Sequence, residues 1–244
     1  MSAWRAITRG VPSRGSVWRY RWLIHERVIA ALERARPHAH GVLLDIGCGA
    51  RPFERLFRGC VTRYLGADLA ASLYLGAVPP DVFARAEALP IRAATIDTVL
   101  GLSMMDHIAE PARVLDEAHR VLRSGGTLIL EFPQLVPLHD PPHDYFRYTR
   151  SGVEWLASRA AFETIEIVPI GSLMARVGLD LTEALNRLNR GPTRVLTELP
   201  VRALYVFLQV LFAALDRLCF DPRQVVGHLL VARRVERTPA ASGY

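Results

Sequence analysis

The stretch Val42-Leu43-Leu44-Asp45-Ile46-Gly47-Cys48-Gly49-Ala50-Arg51-Pro52 decides the fold. Its apolar run, bounded by Gly41 and Gly47, suits a strand buried on both faces, as in a parallel sheet covered by helices. The run carries an acid near its end and then breaks into a turn. Gly47 and Gly49 can take backbone angles closed to other residues, and without a Cβ they let a ligand approach the main chain. Asp45, at the carboxyl end of the strand, would aim its charge into the crevice where open α/β sheets bind ligands.

Downstream, residues 52–57 should open a crossover helix whose first amides point at that ligand. Residues 61–67 read as a second strand ending Gly66-Ala67-Asp68. An acid about twenty residues past a glycine turn can accept both hydrogen bonds of a ribose diol. Residues 82–86 and 96–102 are a third and a fourth strand. Asp97, flanked by Ile96 and Val99, is expected to cap backbone amides. Pro111 opens a helix over 111–122 with Val114, Leu115, Ala118, Val121 and Leu122 at helical spacing. Arg123-Ser124-Gly125-Gly126 is expected to close that helix and lead into a fifth strand, 127–132. This alternation predicts an α/β fold with a doubly wound parallel sheet. A dinucleotide-binding turn would place a third glycine three residues after Gly49; Pro52 stands there, which disfavours NAD.

Upstream, Val17, Tyr20, Ile24, Val28 and Leu32 form one stripe of a helix over 16–36, with Ser16 as N-cap and Pro37 as stop. Its first turns, Trp18-Arg19-Tyr20-Arg21-Trp22, are aromatic and basic. They are expected either to dock on the core or to form, within residues 1–40, a lid that turns Trp18 and Tyr20 toward a substrate. The chain has 244 residues, a net charge of +6 and no lysine. An all-arginine bias fits genome composition, with attraction to phosphate, nucleic acid or an anionic membrane as the alternative. Cys48, Cys60 and Cys219 are odd in number and unpaired in spacing, so no disulfide framework and no metal site is expected. A reducing, cytoplasmic setting fits, and the amino terminus lacks an apolar core of signal-peptide type.

Taken in order, these motifs resemble the class I S-adenosylmethionine-dependent methyltransferases, in the branch typified by methyltransferase type 11 domains. Leu43-Leu44-Asp45-Ile46-Gly47-Cys48-Gly49 is similar to the motif that wraps the methionine part of the cofactor. Tyr64-Leu65-Gly66-Ala67-Asp68-Leu69 is similar to the one that places an acid on the ribose. Ala86-Glu87-Ala88-Leu89-Pro90-Ile91 resembles the adenine-side loop, and Met105-Asp106-His107-Ile108-Ala109-Glu110-Pro111 and Arg120-Val121-Leu122-Arg123-Ser124-Gly125-Gly126 complete the series. The resemblance implies a Rossmann-like, seven-stranded sheet of order 3-2-1-4-5-7-6, its sixth strand at 162–168 and its antiparallel seventh at 225–233. It implies S-adenosyl-L-methionine as cofactor, S-adenosyl-L-homocysteine as product, and contacts from Asp45, Gly47, Cys48, Gly49, Asp68, Leu69, Ala86, Glu87, Leu102, Ser103 and His107. Two positions depart from the family: Arg85 replaces an acid near the adenine amino group, and Ser124 replaces a proline.

Residues 133–149, Pro133-Gln134-Leu135-Val136-Pro137-Leu138-His139-Asp140-Pro141-Pro142-His143-Asp144-Tyr145-Phe146-Arg147-Tyr148-Thr149, leave the fifth strand and should arch over the crevice. The segment resembles one found in a methyltransferase subgroup associated with cell-surface glycan or secondary-metabolite pathways. Methyl transfer to a hydroxyl needs an oriented acceptor and a base, and a histidine with a pKa near 6.5 suits the second task. His139 is the first candidate base and His143 the second, with His107 and Asp144 as further catalytic candidates. Tyr145, Arg147 and Tyr148 are candidates for acceptor binding; for Arg147 the alternative is a salt bridge to Asp144 that shapes the loop. Thr149 reads as the N-cap of a helix over 152–160.

Residues 41–170 and 223–235 thus make the core, 171–222 a helical insertion and 236–244 a tail expected to be disordered. In the insertion Met174, Val177, Leu181, Leu185 and Leu188 form a predicted stripe, and 203–215 runs apolar with Gln209 as its one polar residue. At 1.5 Å per residue that run spans roughly 20 Å, short of the ~30 Å core of a bilayer. It is expected to pack on its own domain, in a homodimer, or against a membrane or an apolar acceptor. The function predicted is methyl transfer to a small-molecule or lipid- or sugar-linked acceptor, preferentially at oxygen. The alternative is a non-catalytic cofactor-binding or scaffold protein that docks on a partner or membrane through the insertion. A nucleic-acid acceptor is not expected, since no Asn-Pro-Pro-Tyr-type motif is present.

Overall fold

A computed structural model describes residues 17–19, 21–189 and 194–237. Ser16, Tyr20 and residues 238–244 of the expected tail lie outside them. The strands are β1 (Val42–Ile46), β2 (Arg63–Asp68), β3 (Val82–Phe83), β4 (Ile96–Gly101), β5 (Leu122–Pro133), β6 (Phe162–Ser172) and β7 (Val225–Arg234). They form one sheet in the order β3-β2-β1-β4-β5-β7-β6. Neighbours from β3 to β5 are parallel, while β7 runs antiparallel between β5 and β6. The order and the reversed strand are those the sequence predicts.

Side-chain alternation splits the core in two, as a strand covered on both faces requires. Leu44, Ile46, Val99, Leu128 and Leu130 face one cluster, where α3 (Pro111–Val121) and α4 (Arg150–Arg159) pack through Val114, Leu115, Ala118, Val153 and Ala157. Leu43, Leu100 and Ile129 face the other, under α1 (Trp22–Ala35) with Ala31, Leu32 and Ala35. Ile24 and Val28 pack against this second cluster, so most of the predicted stripe does face the sheet. Asp97 accepts from the Val42 amide at 2.7 Å and pairs with Arg123, which ties the start of β1 to β4. Its role is structural.

Several boundaries move. The helix α1 starts at Trp22 and not at residue 16, because Val17 to Arg19 form a turn. Helix α2 is a single turn, Glu54–Phe57, and β3 holds two residues where five were expected. The sequence Arg123 to Gly126 does not cap α3 from outside. Strand pairing begins at Leu122 opposite Ile96 and resumes at Thr127 opposite Thr98, so those residues form a bulge inside β5, with Gly125 left-handed at φ +74°.

The insertion departs most. Helix α5 (Leu173–Leu188) buries Ala175, Gly178, Leu179 and Thr182, whereas Leu181 and Leu188 of the predicted stripe are exposed. The cause is close packing against α6 (Arg194–Leu218): a Cβ on Gly178 would lie 2.6 Å from that of Phe212. Small residues therefore mark the buried face. The helix α6 is about 37 Å long at 1.5 Å per residue, not 20 Å, and its segment Thr197–Leu218 is long and apolar enough to cross a bilayer. Its polarity is inverted. Gln209 and Asp216 are buried against the body, while Leu204, Phe207, Val210, Leu211 and Leu218 are exposed. Gln209 accepts from the Leu23 amide and donates to the Val17 carbonyl; Asp216 accepts from the Ser172 and Ala175 amides and pairs with Arg27 at 2.7 Å. The register Ser172↔Val225 and Pro133↔Gly227 roots this hairpin at the carboxyl edge of the parallel strands.

His228 on β7 is buried, with Nε2–H donating to Gln134 Oε1 at 2.7 Å, and burial pushes its pKa down to about 4. An unfolded histidine titrates near 6.5, so between the two values the unfolded chain binds a proton that the folded chain refuses. Stability from this site is full above pH ~6.5 and declines as pH falls toward ~4, by about 3 kcal/mol in all. Urea melts at stepped pH should show this slope and should lose most of it in His228→Gln; an unchanged slope would exclude the assignment.

Candidate active site

The turn after β1 is stitched to β2 before any ligand arrives. The Gly47 and Cys48 amides both donate to the Ala67 carbonyl, at 2.8 and 3.1 Å. Gly47 and Gly49 are left-handed, at φ +69° and +49°, as the sequence requires. Asp68 closes the loop: Oδ2 accepts from the Gly49 amide at 2.6 Å and Oδ1 from the Leu69 amide at 2.7 Å. Each of its oxygens keeps a second lone pair, so the carboxylate is held in place and can still accept from a diol. That set, a left-handed glycine turn with a fixed acid beside it, fits the adenosyl half of the expected cofactor.

The side chains of two residues expected at the cofactor are engaged by the protein itself. Asp45 is buried and accepts from the Tyr64 hydroxyl at 2.5 Å; burial, only partly offset by that bond, pushes its pKa up to about 7. The nearby Asp68 pushes in the same direction as burial. The Cys48 side chain is likewise buried, and burial with the nearby acids pushes its thiol to about 12, so it packs and does not react. On the adenine side Ala86 packs on the core and Glu87 pairs with Arg85 at 2.8 Å, which swings the unusual arginine outward. Leu102 is buried, and Ser103, left-handed at φ +52°, gives both its amide and its hydroxyl to Glu131 at 3.0 and 3.1 Å. Burial pushes Glu131 up to about 7. This acid was not among the expected site residues; its signal in the sequence is its place near the end of an apolar strand, as for Asp45.

The loop of residues 133–149 folds down on the 3-10 turn Met105–His107 that follows β4. Tyr145 donates its amide to the Asp106 carbonyl at 2.8 Å, and Tyr148 donates its amide to Pro133 at 2.7 Å. Arg147 is spent inside the loop: it forks onto both Asp144 oxygens and donates to the Val136, Pro137 and Phe146 carbonyls. It shapes the loop, the alternative raised above, and Asp144 is buried beneath it with its pKa held below the usual range, first by Arg147. Neither faces an acceptor. Tyr148 also turns inward, 6% exposed, with its hydroxyl donating to the Met105 carbonyl. Tyr145 and Trp18 remain at the surface. Tyr74 closes the other flank, donating its hydroxyl to Asp140 while its carbonyl lies 3.2 Å from where a Gly49 Cβ would be.

His107, His139 and His143 do gather at this mouth. His139 Nε2 lies 3.2 Å from Asp106 Oδ2, and its Nδ1 lies 3.0 Å from the Pro137 carbonyl. Burial lowers its pKa, but these acceptors outweigh that and leave it raised. His107 Nε2 is 3.8 Å from the same carboxylate oxygen, and its Nδ1 is 2.6 Å from the His143 carbonyl. His143 is exposed, with Nδ1 3.0 Å from the Tyr145 hydroxyl. Asp106, at the centre, is not among the expected site residues, because pairing with His139 across 33 positions leaves no local signal.

Comparison with known proteins identifies the family. Residues 18–184 match the model of a methyltransferase domain family, which is more than half of the chain, and the chain belongs to that family. S-adenosylmethionine is the cofactor of such methyltransferases. A protein of Mycolicibacterium vanbaalenii described as an uncharacterized methyltransferase is 32% identical over 97 residues, which cover 37% of this chain and 38% of that relative's length. Phosphoethanolamine N-methyltransferase 2 of Haemonchus contortus, solved with S-adenosyl-L-methionine, matches with a TM-score of 0.54 at 17% identity, over 97% of this chain and 61% of its own. The [4+2]-cyclase SpnF matches equally well, with a TM-score of 0.54 at 17% identity over 86% of this chain and 81% of its own. These two likenesses concern the fold alone.

Proposed function

We propose that the chain transfers the methyl group of S-adenosylmethionine to an oxygen of a small or lipid-linked acceptor that it meets at a membrane surface. The family and the Asp68 turn support the donor. The observation that carries the acceptor class is the inverted polarity of α6, whose apolar residues face out from a hairpin rooted at the same sheet edge as the site. Lipid cannot surround this helix, because Gln209 and Asp216 hold one side of it on the body. It lies on the membrane and does not cross it. Exposed Trp18 and Arg19 stand beside it, since Gln209 binds the Val17 carbonyl, and aromatic and cationic residues suit the headgroup layer. The setting is then cytoplasmic with peripheral membrane contact, in glycan or secondary-metabolite assembly.

The cofactor, held by the Asp68 turn, would supply the activated methyl group and leave as S-adenosylhomocysteine; the chain would orient the acceptor oxygen in line with that group, exclude water and take the acceptor's proton. His143 is the histidine at the mouth that stays exposed, and we assign that proton to it. Wild type incubated with methyl-labelled cofactor and a lipid extract of its host should place label in the organic phase. His143→Ala should lower transfer by about 100-fold and keep S-adenosylhomocysteine affinity. Cofactor binding with no label in any lipid or small-molecule fraction would favour the second reading, a non-catalytic binding protein, for which the engaged nitrogens of His139 speak.

A further inference from the structure

The crevice holds a group of side chains that methyl transfer by itself does not require. Asp106, His107 and His139 each bring one possible ligand atom within 4.8 Å of the others; His139 Nε2 and His107 Nε2 lie 3.2 and 3.8 Å from Asp106 Oδ2, and the two imidazoles meet edge to face with centroids 4.9 Å apart. Both rings are fixed the same way. Each turns Nδ1 to a backbone carbonyl, His107 to His143 at 2.6 Å and His139 to Pro137 at 3.0 Å. A carbonyl only accepts, so Nδ1 of each ring carries a proton and Nε2 is the nitrogen turned toward Asp106; at His139 that nitrogen holds a proton on Asp106 when the ring is charged, and an ion would take that proton's place. This is how ligating histidines are oriented around metal ions. A second, independent observation concerns Asp106. Its side chain is 4% exposed, and Oδ1 has no hydrogen-bond partner among the described residues, which is costly for a buried carboxylate oxygen.

We propose that Asp106, His107 and His139 form a binding site for one divalent transition-metal ion at the mouth of the cofactor crevice. Two imidazoles and one carboxylate suit zinc, iron(II) or cobalt(II) better than magnesium, which takes oxygen ligands. Bonds of about 2.1 Å place neighbouring ligands about 3.0–3.4 Å apart. The 3.2 Å pair already meets that spacing, and the 3.8 Å pair needs only a small rotation of the partly exposed His107 ring. Three protein ligands leave the ion open positions on the crevice side. There it would bind an acceptor oxygen and make its hydroxyl more acidic, a role that rests on the methyltransferase reading, whereas binding of the ion does not.

The test uses the intact, untagged chain, stripped with a chelator and titrated with cobalt(II) and then zinc(II). One equivalent of cobalt should produce visible ligand-field bands that zinc abolishes. His107→Ala, at a partly exposed position, and the isosteric Asp106→Asn should each weaken cobalt binding by at least about 10-fold with unchanged melting curves. Wild type without bands, or variants that bind as tightly as wild type, would overturn the site. Titrating S-adenosylhomocysteine into the same stripped sample separates the two claims. Cobalt binding without cofactor binding upholds the ion site and contradicts the methyltransferase reading; the converse overturns the ion site alone.

Discussion

Replacing Asp68 by alanine is expected to weaken S-adenosylhomocysteine binding by a factor of about 100 to 1,000. Two losses combine. A carboxylate accepting both ribose hydroxyls makes hydrogen bonds worth about 1.5–3 kcal/mol each. The same carboxylate also fixes the Gly49 and Leu69 amides, at 2.6 and 2.7 Å, so the turn loses its clasp along with the ligand's partner. Two such bonds near the lower end of that range come to about 3–4 kcal/mol, which is the factor stated, and the loosened turn can only add to it. Asp68→Asn keeps one acceptor oxygen and should fall between the two. The change lies at a strand tip outside the two hydrophobic clusters, so the fold should survive it, as circular dichroism would verify. Calorimetry showing equal affinity in wild type and Asp68→Ala would remove Asp68 from the site.

The second large effect concerns α6. Phe207 and Val210 are 61% and 53% exposed, so replacing both with glutamate should leave the fold intact. If the face lies on lipid, wild type should sediment with vesicles of phosphatidylglycerol and phosphatidylcholine, and the double variant should lose at least about 100-fold in partition. Apolar side chains of this size are worth about 1.5–3 kcal/mol each when buried, and the new charges repel an anionic surface. The labelled-lipid yield should fall with binding, while transfer to a soluble acceptor analogue is spared. A wild type that ignores vesicles and is a dimer, with a monomeric double variant, would show that the face joins two copies of the chain instead.

Much of the platform was legible because strands buried on both faces, left-handed glycines and capping residues leave short-range marks. Val42 to Gly49, Asp68 and the Thr149 cap, which accepts from the Gly152 amide at 3.2 Å, are all of this kind. The insertion was not legible in the same way. Hydrophobic periodicity assigns large apolar residues to the interior, but α5 turns Ala175, Gly178 and Thr182 inward so that α6 can approach, and α6 turns its polar Gln209 and Asp216 inward to bind the body. Long-range pairs were invisible for a different reason. Arg147 lies beside Asp144 in sequence and its salt bridge was foreseeable, whereas Asp106 meets His139 only because the proline-stiffened loop folds back on the turn after β4. Candidate bases chosen by residue type alone therefore included groups that the fold has already engaged.

A structure of the chain soaked with S-adenosylhomocysteine tests the central claim most directly. The ribose hydroxyls are expected on Asp68, the homocysteine chain along Gly47 to Gly49, and the sulfur facing the mouth where Asp106, His107, His139 and His143 gather. Ligand bound away from Asp68, or with its sulfur turned from that mouth, would contradict it.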